Sequence, residues 1–537
     1  MAEATEKLII DGIEVEVPAG TSILEAARSI GIDIPHFCYH PHLSLAGNCR
    51  MCLVDIEKMP KLQISCGTPV KSGMVVHTNN ERVRAARKAV LELQLVNHPI
   101  DCPICDQAGE CKLQDYYMEY SLQASRMEVP KVVKPALVYL GGDVVHNGER
   151  CVTCLRCVRF LTDVTRTGEL CAVNRGDHTE IDILEGRPIS NLYSGNVVDV
   201  CPVGAMTSKD FRFKKRVWYL TTTESVCPGC ERGCNTSVEF EQGRSYSYEP
   251  RPAKVFRVKP RRNDEVNKTW LCDPGRFLFH GYQAERYLGG PLLSSGGTAQ
   301  PSPWNEALDA AADLLRKAGR DLRVIASPDL SCEELYLLRL LTERLGTTVF
   351  GWHPAPAGEW GVLQDDLLLR RDKHPNSAGA ELLGYAKRDE GAALAALPAE
   401  IAAGRIRHLL VVGHDLDAHV TALGKLETLV LVHWNRTAMA GAATVFLPGA
   451  AWYEKAGTFV NFQGRLQRFE ACFAPTGGKP EWFILLELLV RLGHDLGCSE
   501  VPGIFAAMAK AVPALAGKRW PDLPKTGVIV SAAEVAS

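Results

Sequence analysis

The first ninety residues alternate in a way that fixes their local structure. Leu8-Ile9-Ile10 and Ile13-Glu14-Val15-Glu16-Val17 flank Asp11-Gly12, and two short apolar runs about an Asp-Gly pair predict a β-hairpin. Ser22 and Glu25 then read as a capping box, with Ile23, Ala27 and Ile30 on one helix face before Gly31 ends it. A second helix is predicted from about Asn80 to Val96, with Val83, Ala86, Val90 and Leu93 on one face. It stops at Asn97-His98-Pro99, because proline disfavours helix in the residue before it.

The second half follows another rhythm. Helical patterns over Asn305–Gly319 and Glu333–Gly346 alternate with apolar runs such as Leu409–Val412 and Leu429–Val432. That alternation predicts an α/β domain around a buried, mostly parallel sheet. The stretch Pro291–Pro303, PLLSSGGTAQPSP, reads as a linker between the halves, and the Ala-rich region after Pro502 as peripheral helix.

Composition adds three constraints. At 537 residues the chain is long enough for three or four domains. Its 60 basic and 63 acidic residues give a net charge of −3, which offers nothing to nucleic acid or an anionic membrane. No apolar run reaches the length of a membrane span, and no signal peptide is visible at the amino terminus. Cysteine departs furthest from the average. Of 19 cysteines, 16 fall between Cys38 and Cys272. An odd total in clustered pairs, without an export signal, argues for metal binding rather than disulfides.

Four groups emerge. The first is Cys38, Cys49, Cys52 and Cys66, with Gly47-Asn48 ahead of a close pair that can grip one iron. A hairpin, one helix and then such a loop is the order of a ferredoxin-type β-grasp unit, and four thiolates suit a 2Fe–2S cluster. The second is His98, Cys102, Cys105 and Cys111 within fourteen residues, fit for a 4Fe–4S cluster or a Cys₃His zinc. Pro99 fixes the turn beside His98, and only three cysteines are near, which favours the imidazole as fourth ligand. The third, Cys151, Cys154 and Cys157 with the distant Cys201-Pro202, carries the bacterial ferredoxin 4Fe–4S signature. Cys171 competes with Cys201, but the proline selects Cys201, and Cys171 is expected in the core. The fourth is Cys227, Cys230 and Cys234 with Cys272; zinc is the alternative metal here, as it is for the first group.

No G-x-G-x-x-G or Walker loop is present in the sequence, so no NADH, flavin or nucleotide site is announced, and nothing suggests hydrolysis. The basic run Arg212, Lys214, Lys215 and Arg216, interleaved with Phe211 and Phe213, reads as a solvated or subunit-facing edge.

The sequence around these residues resembles the large iron–sulfur subunit of NADH:quinone oxidoreductase, respiratory complex I. The matching stretches are Cys49-Arg50-Met51-Cys52, then His98 through Cys111 (HPIDCPICDQAGEC), Glu149-Arg150-Cys151-Val152-Thr153-Cys154, and Asp199-Val200-Cys201-Pro202-Val203-Gly204-Ala205. The resemblance implies ligand roles at the first twelve positions. It also implies an additional 4Fe–4S cluster at Cys227, Cys230, Cys234 and Cys272, off the main electron route, with Val266–Asp273 resembling the stretch around the last ligand. The longer spacing before Cys272 implies a lengthened hairpin. Leu447–Glu454, Gly457–Asn461 and Gly464–Gln467 resemble the molybdopterin oxidoreductase superfamily, here shortened and expected to carry no molybdenum.

The expected architecture is therefore multidomain α+β. A β-grasp 2Fe–2S domain spans 1–82, and a His-Cys₃ 4Fe–4S domain 83–122. A ferredoxin-like 4Fe–4S domain spans 123–219, the additional 4Fe–4S domain 220–290, and a molybdopterin-oxidoreductase-like α/β domain 291–537. The resemblance implies an electron carrier with one 2Fe–2S and three 4Fe–4S clusters, itself doing no bond-making chemistry. Its implied partners are a flavin-bearing, NADH-oxidising subunit and quinone-side iron–sulfur subunits, on the cytoplasmic side of the plasma membrane, in a complex that translocates protons. The rival is an iron–sulfur subunit of an NAD-linked hydrogenase or formate dehydrogenase. It is disfavoured because Cys332, Cys472 and Cys498 are too scattered for a further active-site cluster, and because a working molybdenum domain would be longer.

Overall fold

The hairpin forms as its pattern requires. Strands Thr5–Ile10 and Ile13–Pro18 pair antiparallel, with Asp11 and Gly12 both at positive φ as a type I′ turn demands. The structure is a computed structural model. It describes residues 4–121, 124–184, 186–243, 252–295, 297–347, 349–352, 364–385 and 392–530, and divides at Tyr219/Leu220 into two units. The predicted hairpin and helices form within a residue or two of their expected bounds; the differences lie in how those elements pack.

In the first unit a five-stranded mixed sheet runs in the order Ile13–Pro18, Thr5–Ile10, Val75–His77, Leu53–Ile56, Gln63–Ile64. Helix Ile23–Ser29 lays Ile23, Leu24 and Ala27 on it, against Leu8, Ile10, Val15, Val54 and Val76. Each fully buried aliphatic side chain there contributes roughly 1.5–3 kcal/mol. Ser22 caps this helix by accepting from Glu25 N at 3.3 Å, but the expected reciprocal bond is not made. Glu25 instead pairs with Arg28 and accepts from the Tyr39 hydroxyl at 2.7 Å, which ties the helix to the loop after Cys38.

The second helix, Glu81–Leu95, starts at its Asn80 cap as expected, yet its buried face is turned. Val83, Arg87 and Leu91 face inward, while Leu93 is 74% exposed. The reason is Arg87: its guanidinium donates to the Tyr120 hydroxyl and stacks on that ring, so a buried cation replaces an apolar contact. Besides helices Lys112–Tyr120, Arg156–Arg159 and Gly195–Val200, the remainder of the unit holds a sheet ordered Met206–Ser208, Val144–Asn147, Ala136–Gly141 and a two-stranded ribbon, Leu170–Val173 with Glu180–Ile183. Cys171 sits on that ribbon, half-buried, its Sγ 3.6 Å from Asp182 O, and not in the core as expected. A side chain on a two-stranded ribbon has only one face to hide on.

The second unit opens with an antiparallel sheet of Thr221–Val226, Asn235–Glu241 and Lys254–Pro260. The tip of the lengthened hairpin, 244–251, lies outside the described residues. A seven-stranded sheet follows, in the order Thr298–Pro301, Leu292–Ser295, Val445–Pro448, Thr428–His433, His408–Val412, Leu322–Ala326, Val349–Trp352. Its last five strands are parallel, and alternate residues feed separate cores: Leu410, Val412, Val430 and Val432 on one face, Leu409, Val411, Leu429 and Leu431 on the other. That is why these runs read as continuously apolar. The expected linker is instead part of this sheet: Leu292–Ser295 and Thr298–Pro301 form a hairpin paired to Val445–Phe446. Helix Val501–Ala511 is likewise no peripheral decoration, since Ile504, Phe505 and Met508 enter the larger core.

Candidate metal centres

The thiols of the first group stand in two pairs. Cys38 N donates to Cys49 Sγ at 3.5 Å and the two thiols hydrogen-bond to each other; the thiols of Cys52 and Cys66 do the same. The expectation that the close pair Cys49/Cys52 shares one iron is therefore not what the chain arranges. Each member of that pair turns toward a thiol from elsewhere, because Arg50 between them adopts φ +56° and swings the loop around. The contact from Cys49 holds the Cys38 thiol below its ordinary value, and that from Cys66 does the same for Cys52. Their partners Cys49 and Cys66 are driven upward. Two facing pairs of thiols suit two irons, each taking two sulfurs.

In the second group Cys102, Cys105 and Cys111 come together, close enough for their charges to act on one another. Burial pushes Cys105 up, and Cys111 up to about 11. His98 shares the neighbours Asp101 and Arg150 with Cys105. Its Nδ1 is buried without a hydrogen-bond partner, and burial lowers its pKa to about 4, so the imidazole is neutral. A buried neutral nitrogen with a free lone pair is the form in which histidine binds metal. Ile100, between His98 and Cys102, sits at φ +49°, a conformation that costs a β-branched residue on the order of 1–3 kcal/mol.

The third group encloses a space. Cys151, Cys154, Cys157 and Cys201 line a cavity whose other walls include Ile181, Val203 and Met206. Thr153 and Leu155, at φ +50° and +60°, curl the loop so that Thr153 N donates to Cys151 Sγ at 3.3 Å. Backbone N–H groups turned inward this way form an anion-accepting concavity. Burial raises all four thiols, Cys151 to about 11 and Cys201 to about 12. Among the described residues, no three or more His, Cys, Asp or Glu side chains crowd together closely enough to share one ion. The sulfurs of this group stand around a volume instead.

The fourth group lies wholly within the second unit, and all four thiols are buried. Burial raises each of them, Cys227 to about 12. Gly229 N donates to Cys227 Sγ and Gly275 N to Cys272 Sγ, both at 3.4 Å. Cys272 thus caps helix Asp273–Glu285, and a Cβ on Gly275 would lie 3.0 Å from Cys227 Sγ. Asn267 joins the two ends of the site: its Oδ1 accepts from Asn235 N at 3.0 Å, and its Nδ2 donates to Trp270 O at 3.1 Å. The loop is anchored further by Arg232 Nη2 to Leu367 O at 2.9 Å and Gln467 Nε2 to Gly233 O at 2.8 Å.

Sequence reasoning missed several residues around these thiols. Arg150, only 4% exposed, pairs with Asp101 beside Cys105. Arg216, expected at a solvated or subunit-facing edge, donates to Cys105 O and Pro103 O and is half-buried. Arg156 and Arg159 lie between the first and third groups. Gly204 abuts Cys105, so that a Cβ there would overlap its sulfur. Only the stretches Glu149-Arg150-Cys151 and Val203-Gly204 hinted at two of them.

One apolar cluster contains Cys38 and Cys49 of the first group, Cys111 of the second and Cys154 of the third, with Cys151 and Cys201 at its edge. Phe37, Met51, Leu91, Tyr116 and Val203 fill the space among them. The three groups are therefore parts of one dry interior.

Family models match four cluster-type segments. Residues 5–81 match a 2Fe-2S iron-sulfur cluster binding domain and 87–126 the NADH-ubiquinone oxidoreductase-G iron-sulfur binding region. Residues 141–207 match the ferredoxin-like domain of NADH-quinone oxidoreductase subunit 3, and 243–280 an NDSU1/NuoG-like 4Fe-4S domain. Residues 355–491 match molybdopterin oxidoreductase. The G subunit of NADH-quinone oxidoreductase from Rickettsia felis is 31% identical over 619 aligned residues, covering 94% of this chain and 90% of that protein. The alignment exceeds the 537 residues here, so that relative contains segments this chain lacks. The mitochondrial 78 kDa subunit of NADH-ubiquinone oxidoreductase from Candida albicans is 40% identical over 64% of this chain and 47% of its own length. A solved NAD+-reducing [NiFe]-hydrogenase overlaps 40% of this chain and 92% of its own at 26% identity, but its TM-score of 0.36 carries no inference. Coverage and identity to the Rickettsia protein, with the oxidoreductase-type iron–sulfur segments in order, place the chain in the family of NADH-quinone oxidoreductase G subunits.

Proposed function

We propose that this chain is the iron–sulfur electron-transfer subunit of an NADH:quinone oxidoreductase. It receives electrons singly from a partner that oxidises NADH at a flavin and passes them toward quinone-side iron–sulfur subunits. The observation that carries the reading is the shared apolar interior of the first three cysteine groups. Electron tunnelling weakens steeply with distance, so centres that relay electrons must be packed close, with water excluded.

The proposed ligands are Cys38, Cys49, Cys52 and Cys66 for a 2Fe–2S cluster; His98, Cys102, Cys105 and Cys111 for a 4Fe–4S cluster; and Cys151, Cys154, Cys157 and Cys201 for another. Cys227, Cys230, Cys234 and Cys272 hold a third 4Fe–4S cluster, which serves structure more than electron flow. When bound, these groups supply one-electron redox chemistry. The chain's own residues do the rest. Backbone N–H groups of Thr153, Gly229 and Gly275 stabilise anionic sulfur. Phe37, Met51 and Leu91 exclude water, and the left-handed residues Arg50, Ile100, Thr153 and Leu155 hold the loops open toward their sites. In this reading five domains divide at residues 82, 122, 219 and 290, and the subunit works in the peripheral arm on the cytoplasmic face of the plasma membrane. No helix among the described residues is long and apolar enough to cross a membrane.

The direct test is composition. Purified without oxygen, the full chain should be brown and hold about 14 irons, for one 2Fe–2S and three 4Fe–4S clusters; a colourless, zinc-rich protein refutes the reading. For the second centre, His98→Cys should keep its cluster while lowering the midpoint potential, because a thiolate adds negative charge where a neutral imidazole stood. An unchanged EPR signal and potential would show that His98 is no ligand.

A further inference from the structure

Two arginines tie the first cysteine group to the third. Arg159 donates to Cys38 O and Ser44 O on one side, and to Cys154 O at 3.2 Å on the other. Arg156 donates to Tyr39 O and, at 3.3 Å, to Val200 O, one residue before Cys201. Asn48 Nδ2 reaches Thr153 O at 3.0 Å across the same seam. These contacts run entirely between the loops that carry the two sets of thiols.

Acids at the seam stand off from its arginines: Asp163 accepts from Ser44 N at 3.0 Å, on the residue whose carbonyl Arg159 binds, without pairing with the guanidinium. Arg150, beside the second group, has Asp101 as its carboxylate partner. Among the described residues neither Arg156 nor Arg159 has an ion-paired acid, and both bind carbonyl oxygens only. Arg156 is half-buried, and its Nε is buried without a partner. Its charge is felt most by Cys154, Cys201 and Cys38, sulfurs of both groups. Keeping an unpaired guanidinium partly away from water is costly, and a compensating negative charge is the usual condition for it. Thiolate-ligated clusters, which are net anions and gain one more negative charge on reduction, would supply that charge.

Resting on the cluster assignment above, we propose that Arg156 is a positioning cation shared by the first and third centres, which stabilises their reduced forms and sets the two potentials together. A fixed positive charge between two anionic centres favours the added electron at each, so both potentials rise together. The carbonyl bonds of Arg156 and Arg159 fix the spacing over which this charge acts.

The test is an EPR-monitored redox titration of the full-length chain, purified without oxygen, as wild type, Arg156→Gln and Arg156→Lys. In Arg156→Gln, one-electron reduction of the first and third centres should become at least tenfold less favourable, about 59 mV at one electron. The second centre, faced by the Arg150–Asp101 pair, should keep its potential, and Arg156→Lys should restore the wild-type values. Unchanged potentials in a glutamine variant with full iron content overturn the proposal, as does an equal fall at the second centre, which marks general loosening. If the glutamine variant cannot hold iron, the lysine variant decides. Full loading at wild-type potentials supports the need for charge; loss of iron or shifted potentials shows that only the guanidinium's hydrogen bonds matter, and overturns it. A wild-type chain without these clusters would sink the assignment itself rather than the role of Arg156.

Discussion

Cys272→Ala is expected to remove about four irons per chain, one 4Fe–4S cluster, and to destabilise the second unit more than any other single cysteine substitution. Cys272 has two tasks in one atom. Its sulfur caps helix Asp273–Glu285 through Gly275 N, and it brings that helix against the loop bearing Cys227, Cys230 and Cys234. Loss of a cap alone costs about 1 kcal/mol. Loss of the cluster costs far more, because metal binding is coupled to folding and a domain's whole stability is only about 5–15 kcal/mol. Cys227, Cys230 and Cys234 would remain buried near Asn267 and the fully buried Trp270, with that asparagine's hydrogen bonds left to join the two ends of the site. Iron content, thermal unfolding of the full chain and NADH:quinone activity of the assembled complex should be measured together. Wild-type iron would show that Cys272 is no ligand. A loss of one cluster with normal assembly but no quinone reduction would place the fourth centre on the electron route instead.

Gly204→Ala should abolish or distort the second centre while sparing the first. Gly204 is not at a positive φ, so the substitution meets no left-handed strain; the problem is the new methyl group, which would overlap Cys105 Sγ and approach Gln107 Cβ at 3.1 Å. Overpacking a rigid site costs roughly 1–3 kcal/mol, and the sulfur, which must keep its place to bind iron, is the atom displaced. Gly281→Ala is the control, since it lies on helix Asp273–Glu285 with nothing within 4 Å of an added Cβ. Iron content and EPR of the His-Cys₃ centre are the readouts. A wild-type signal at that centre would mean that the loop yields, and that Gly204 is there for chain flexibility alone.

Short-range chemistry was legible from the sequence alone. The Asp11-Gly12 hairpin, the Asn80 cap, the parallel strands around Leu410 and Val430, and four cysteine groups all depend on residues within a few positions of one another, or on motifs whose spacing is itself the signal. Family membership was legible for the same reason, because long characteristic stretches surround the cysteines of this chain. What needed the tertiary structure was every choice between partners distant in sequence. Cys49 and Cys52 part company because each meets a thiol brought by another segment. Leu93 is left outside because Arg87 has Tyr120 to receive it. Pro291–Pro303 reads as a linker by composition, yet joins a sheet because a strand edge at Val445 is open to it. Arg156 and Arg159 carry no motif, and Gly204 only a place in a matching stretch; their importance lies in which loops they touch across the fold. Local propensity names the elements and the ligand types; packing, which sums contacts over the whole chain, decides which of them meet.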